Sequence, residues 1–297
     1  MSGSIINSGN VMRLIHATVW MFCFALFFSS ASAGPWARKQ GTGIVQIGFS
    51  TIGYNKIHSD DSERRPLMAD VRDNVVQLYG EYGLPEDLTL IAMVPVKLLS
   101  ATPQLQGASK VSKSGLGDID VTLRRTWMNK DGLALATELL FGLPVGSRSD
   151  ENGLFLGDGE FNDTPRFVAG KSFYPIPLYM TAEFGFNFRT KNFSHDVPYG
   201  FEVGYGFLDN RLYAILQISG RESISNNPTL PAGATAPEVA ANAAGLYGNN
   251  VEYLAIIPKV YFKATEKVGI SISYATAAHG RNVAGGAVIA GGVLLEF

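Results

Sequence analysis

Residues 178–189 read Leu178-Tyr179-Met180-Thr181-Ala182-Glu183-Phe184-Gly185-Phe186-Asn187-Phe188-Arg189. Met180, Ala182, Phe184, Phe186 and Phe188 alternate with Thr181, Glu183, Asn187 and Arg189. Successive side chains of an extended strand point to opposite faces, so this segment carries one wholly apolar face and one polar, charged face. Its length is that of a tilted strand crossing a bilayer, about 9–11 residues. A barrel wall with lipid outside and a polar lumen inside requires this pattern in every strand.

The same alternation recurs on both sides of that segment. Over 74–84, Val76, Leu78 and Tyr82 oppose Gln77, Tyr79 and Glu81; over 88–97, Leu88, Leu90, Ala92, Val94 and Val96 oppose Thr89, Met93 and Lys97. Ile119, Val121, Leu123 and Trp127 oppose Asp118, Asp120, Thr122 and Arg124. Leu133, Leu135, Leu139, Phe141 and Leu143 have Glu138 on the other face. Phe201, Val203 and Tyr205 face away from Glu202, and Leu212, Ala214, Leu216 and Ile218 away from Arg211 and Gln217. Less regular strands near 43–54, 165–174, 251–262, 268–277 and 286–297 bring the number to about twelve. The connections alternate too. Short turns at 85–87, 129–132, 175–177, 208–210 and 264–267 are interleaved with longer loops near 55–72, 98–116, 146–163, 190–198, 221–249 and 278–285. Turns on one side and loops on the other characterise membrane barrels. The expected fold is all-β: a transmembrane antiparallel up-and-down β-barrel of about 12 strands over residues 34–297.

Aromatic residues supply a second regularity. Tyr82, Trp127, Phe173 with Tyr174, Phe207, Phe262 and Phe297 stand at or just before each short turn or the chain end, as an interfacial girdle does. Arg125 breaks the alternation beside Trp127 but lies at the rim, where an arginine reaches the headgroups.

Of the 297 residues, 46% are hydrophobic and only 17% charged, and the net charge of -2 is spread along the chain. This composition excludes a disordered chain and offers no basic stripe for nucleic acid. Residues 1–33 read as a cleaved signal peptide: Arg13, the apolar run Leu14 to Phe28, and Ala31-Ser32-Ala33 before the cut. Cys23, the single cysteine, lies in that apolar run. After it no stretch reaches 18 unbroken apolar residues, so helical spanning is not expected. An exported, cysteine-free barrel belongs in the bacterial outer membrane.

The C-terminal Val293-Leu294-Leu295-Glu296-Phe297 resembles the signature read by barrel-assembly machinery, with Phe297 the recognised residue. Ser114-Gly115-Leu116-Gly117-Asp118-Ile119-Asp120-Val121, at the mouth of the fourth strand, resembles the outer-membrane protein family of the meta-pathway of phenol degradation. That resemblance implies a barrel helping aromatic or other apolar compounds across the outer membrane.

Patterns suggestive of catalysis dissolve on inspection. Gly170-Lys171-Ser172 lacks the glycine five residues earlier, where Pro165 stands, and no helix follows. Ser194-His195-Asp196 are consecutive, whereas a triad is assembled from separated positions. His58 and His279 are scattered, so no metal ligand set is expected. Asp150, Glu151, Asp158, Glu160 and Asp163 make an acidic loop without calcium-loop spacing. No catalytic residue, metal or cofactor is expected, and the alternatives to a channel are a lipid-acting enzyme or a structural or adhesive barrel with a plugged lumen. The expected lumenal residues are Glu81, Lys97, Asp118, Asp120, Arg124, Glu138, Glu183, Asn187, Arg189, Glu202 and Arg211. Asp118 and Asp120, about 7 Å apart along one face, should meet arginines of neighbouring strands. The charges read either as a network filling a narrow barrel or as a constriction touching a passing solute. In the longest loop, Glu238 to Ala244 after Pro237 suggests a short helix, folded into the mouth or lying outside. The expected partners are outer-membrane lipid, lipopolysaccharide, the assembly machinery and a small-molecule solute, with the chain a monomer.

Overall fold

A computed structural model of the chain describes residues 34–148, 154–225 and 249–297. The expected signal peptide, Asp150, Glu151 and the expected helix at 238–244 lie outside them. The described residues are all-β, in fifteen hydrogen-bonded segments. These are β1 (Gly43–His58), β2 (Arg64–Gly83), β3 (Leu88–Pro103), β4 (Val111–Leu116), β5 (Ile119–Lys130), β6 (Leu133–Leu143) and β7 (Asn162–Ser172). There follow β8 (Leu178–Gly185), β9 (Phe188–Arg189), β10 (Asp196–Phe207), β11 (Leu212–Ser223), β12 (Glu252–Lys263), β13 (Val268–Arg281), β14 (Val283–Ala284) and β15 (Ala287–Glu296). β4 continues into β5, β8 into β9 and β14 into β15, so the segments make twelve staves. Each pairs antiparallel with its sequence neighbour, and β1 pairs with both β2 and β15, which closes the barrel.

Turn chemistry fixes the short ends. Asp131 and Gly132 both take positive φ, 52° and 78°, the two-residue hairpin that follows strand twist. Glu86 with Asp87, and Leu208 through Asn210, turn the chain in the same left-handed region. The opposite end differs from expectation in length. The loops expected at 55–72 and 98–116 are largely strand, since β1, β2 and β3 run 16, 20 and 16 residues. At about 3.3 Å per residue the first staves outrun a bilayer, leaving connections of only a few residues at their tips. In these stretches the pattern is reversed, with Leu67, Ala69, Val71, Leu99 and Ala101 inside and Asp70, Arg72 and Thr102 outside, so they do not match the apolar-out alternation of the membrane band.

The outer surface of the staves is an apolar band. Ile47, Leu78, Leu123, Phe167, Phe201, Ile272 and Val293 are all exposed. At the turn end, Tyr82, Trp127, Phe207, Phe262 and Phe297 are exposed, Tyr174 almost wholly so, and Phe173 is half-buried. Trp127 occupies a register shift in the β5–β6 ladder, and Arg125 lies 4.9 Å over its ring and 3.3 Å from Glu86.

Candidate functional site

A ladder of alternating charge runs round the inner wall, set by register. On β5 and β6 Arg124 stands opposite Glu138, and on β6 and β7 Glu138 stands opposite Arg166. Directly opposed side chains have Cβ atoms about 5 Å apart, so opposite charges at one height must meet. Arg124 Nε lies 2.7 Å from Glu138 Oε1, and Arg166 lies 3.7 Å from Glu138 and 3.8 Å from Glu183. At the other end Arg124 is 3.9 Å from Glu81 on β2, whose carboxylate also accepts from Tyr79 Oη at 2.5 Å and from Arg38 Nε at 2.9 Å. Arg124 is only 2% exposed, so its charge is tolerable only because carboxylates flank it.

Sequence reading identified Glu81, Arg124, Glu138 and Glu183 but missed the two arginines that join them. Arg166 shares the inward face of β7 with Val168, against Phe167 outside; Pro165 hid that alternation. Arg38 precedes the first strand, where no period applies.

The other expected lumenal residues fall into separate groups. Lys97 pairs with the buried Asp73 at 3.0 Å, and Glu202 pairs with Lys259 at 3.1 Å and accepts from Tyr179 Oη at 2.9 Å. Asn187 bonds Thr164, Asn162 and Asp196, and Asp196 lies 3.3 Å from Arg221. Asp118 corrects the expectation of an arginine partner. Its carboxylate accepts the backbone N–H groups of Gly146 at 2.9 Å and Asp158 at 2.8 Å, clamping the loop after β6. Asp120 faces a cavity with Arg166 and Arg221 and forms no ion pair among the described residues. Arg189 holds the same loop, paired with Glu160 and, at 3.0 Å, with Asp158, with Phe193 under its guanidinium at 4.3 Å. Arg211 is exposed at the turn-end mouth, donating to the carbonyl of Ala264 at 3.2 Å. Ser194, His195 and Asp196 go to three different sets of partners. Ser194 meets Asn249 and Asn250, and the His195 ring accepts from the Arg189 N–H at 3.0 Å.

Towards the loop end the interior is apolar, which the charged-lumen expectation did not include. Ile52, Tyr54, Val71, Leu99, Ile257 and Val288 point inward from the wall, and Leu154 and Leu156 of the clamped loop fill the space between them.

Towards the turn end the barrel holds a chamber of about 1040 Å³, and beside the ladder a smaller cavity of about 380 Å³; Gln77 and Tyr79 line both. The chain before β1 enters the chamber mouth. Pro35 and Trp36 occupy room left at Gly170, where an added Cβ would lie 2.7 and 2.9 Å from them. Thr126 Oγ1 donates to the Pro35 carbonyl at 2.6 Å, and the Arg38 N–H donates to Thr89 Oγ1 at 3.1 Å.

No family model and no curated protein matches the chain in sequence. In fold it is similar to an outer membrane channel from Pseudomonas putida F1: TM-score 0.65, 12% identity, 92% of this chain and 100% of that chain covered. The KdgM porin aligns at TM-score 0.47 and 8% identity, covering 85% of this chain and 99% of that one. The NanC porin aligns at TM-score 0.49 and 7% identity, over 85% and 100%. What the first likeness carries is the architecture: a closed, twelve-stranded antiparallel barrel of the kind built for an outer membrane.

Proposed function

We propose that the protein is a channel or transporter of the bacterial outer membrane, passing small solutes through a narrow, charged lumen, and that it acts as a monomer without enzymatic chemistry. One observation carries this reading. A closed wall with an apolar outer band encloses a chamber of about 1040 Å³ lined by charged groups and aromatic rings, and a barrel that served only as scaffold would fill that space with side chains. The finer reading, that aromatic or apolar compounds are among the solutes, is supported by the resemblance and by the aromatic rings on the chamber wall. Outer-membrane lipid and lipopolysaccharide are the surroundings this location supplies, and Phe297 is the residue offered to the assembly machinery.

Conductance tests the reading. Full-length protein folded into a planar bilayer should give discrete current steps, and Leu154→Ser with Leu156→Ser, which wets the apolar layer, should enlarge or lengthen them. Steps in the double variant alone would make the apolar layer a closed gate and keep the channel reading. Silence in both overturns it. Phospholipid hydrolysis by the detergent-solubilised protein would then mark a lipid-acting enzyme, and its absence a structural barrel.

A further inference from the structure

The ladder ends at Glu183 on β8, and from there the chamber wall changes character: it is paved with tyrosine rings. Tyr179 on β8 stands in register with Gly204 on β10, and a Cβ added at Gly204 would lie 2.2 Å from its ring. Tyr261 on β12 crosses to Gly269, with its hydroxyl 2.2 Å from an added Cβ, while Tyr213 on β11 opposes Gly206, where Asn210 Oδ1 at 2.3 Å takes most of the room and a Tyr213 ring carbon lies at 3.2 Å. Tyr179 and Tyr261 therefore rest on wall that has no side chain, and all three rings line the chamber. Tyr179 and Tyr213, two staves apart, are tilted by 58°, and Tyr213 and Tyr261, one stave apart, by 46°. A twelve-stranded wall turns roughly 30° per stave, so the first pair follows its curvature and the second is tilted beyond it. Their centroids are 6.4 and 6.3 Å apart, and Trp36 closes the row 6.5 Å from Tyr179, edge-on at 85°.

Polar groups border this pavement. Glu202 and Lys259 form their pair beside Tyr179, and Gln46 reaches Ser271 at 3.5 Å. Gln77 is 5% exposed, yet its amide has no hydrogen-bond partner among the described residues and faces the chamber. The charges lining the chamber balance, four basic against four acidic side chains.

These features exclude most ligand classes in turn. A net ion finds no excess of opposite charge. An alkyl chain or bare arene would cover the ring faces but leave the Gln77 amide without a partner and add nothing to the Glu202–Lys259 pair, a loss that costs ligand affinity. A linear polyol would meet the polar groups and waste the rings. A pyranose has both parts: a flat C–H face to lie on the negative face of a tyrosine ring, and a rim of hydroxyls that both donate and accept. We propose that the chamber is a binding site for neutral pyranosides, a mono- or disaccharide stacked along Tyr179, Tyr213 and Tyr261 with Gln77 and the Glu202–Lys259 pair on its hydroxyls. This deepens the channel reading by naming a solute class that the chamber binds more tightly than the bare aromatic compounds the resemblance suggests, and rests on that reading for the route of entry.

Full-length protein refolded in a detergent without a sugar headgroup is titrated calorimetrically with maltose, methyl β-glucopyranoside, sorbitol and phenol. Saturable maltose binding in the millimolar range or tighter is expected, with the glucoside weaker, phenol at least tenfold weaker and sorbitol silent. Tyr213→Ala should weaken maltose at least tenfold. Gln77→Ala, which leaves the wall intact, should weaken it severalfold while keeping heat-modifiable mobility. No saturation with maltose, phenol binding as tightly as maltose, or Gln77→Ala unchanged in a folded protein overturns the proposal. Current steps without maltose binding would remove the sugar site and keep the channel; maltose binding without current steps would do the reverse.

Discussion

At the scale of the residue, charges in this lumen are stable only in alternation. Arg124 shows it most sharply, placed between Glu138 at 2.7 Å and Glu81 at 3.9 Å with almost no exposure. Arg124→Met would leave two buried carboxylates facing each other across the gap, and should cost about 3 kcal/mol of unfolding stability, read as a lowered urea midpoint in vesicles. Arg124→Met combined with Glu138→Leu should recover part of that loss, because the uncompensated charge goes with it. The acidic members of the ladder were visible in the sequence because each stands on the face opposite a clean apolar one, as Glu183 does between Ala182 and Phe184. Arg166 was hidden by the proline beside it and Arg38 by lying outside any strand, so pairing partners were expected for the wrong carboxylates. Asp118 binds backbone N–H groups instead, a partner that has no sequence signature.

At the scale of the element, two connections carry distinct consequences. The Asp131-Gly132 turn needs φ of 78° at its glycine, and an added Cβ there would lie 2.5 Å from the Ser172 carbonyl. Gly132→Ala should therefore cost about 1–2 kcal/mol, measurable in the same urea titration, whereas Lys130→Ala next to it should be nearly neutral. The loop after β6 is pH-sensitive. Burial pushes the Glu160 carboxyl up to about 7 against the opposing pull of Arg189, with Asp158 adding to the rise. A free loop would return it to the ordinary value of 4.5. The docked loop therefore binds the proton more tightly, so docking gains stability that is full below pH 4.5 and is lost as pH rises through about 7. Proteolytic nicking of this loop should be faster at pH 8.5 than at pH 5.5, and Glu160→Gln should flatten the difference. None of this was legible beforehand: the acidic composition of the loop suggested a solvated surface, and only the fold shows Glu160 buried.

At the scale of the whole molecule, the barrel and its strand number were legible because two independent periods agreed, alternation within strands and aromatics at every short turn. The outer band makes a depth-dependent prediction. Val76 lies six residues from the girdle residue Tyr82, near the middle of a band about 25 Å tall for a strand tilted about 40°. Val76→Arg should cost about 2–4 kcal/mol, and the same charge at Phe207 about 0–1 kcal/mol, read as refolding yield and urea midpoint in vesicles. The apolar part of the interior was hidden because the alternation is inverted there: Leu67, Ala69 and Val71 face inward while Asp70 and Arg72 face out, so a stretch rich in charge reads as loop. The segment before β1 carries a further consequence. Pro35, Trp36 and Arg38 lie in the mouth, and the wall beside them is closed by the first and last strands, locked where Gly43 and Phe297 exchange backbone hydrogen bonds of 2.9 and 3.0 Å. The wall therefore closes only once its final strand is present, with the leading segment seated at its mouth. A bulky tag fused just ahead of Gly34 must then share the mouth or be left threaded through it, whereas one fused after Phe297 hangs from the rim, outside the enclosed space.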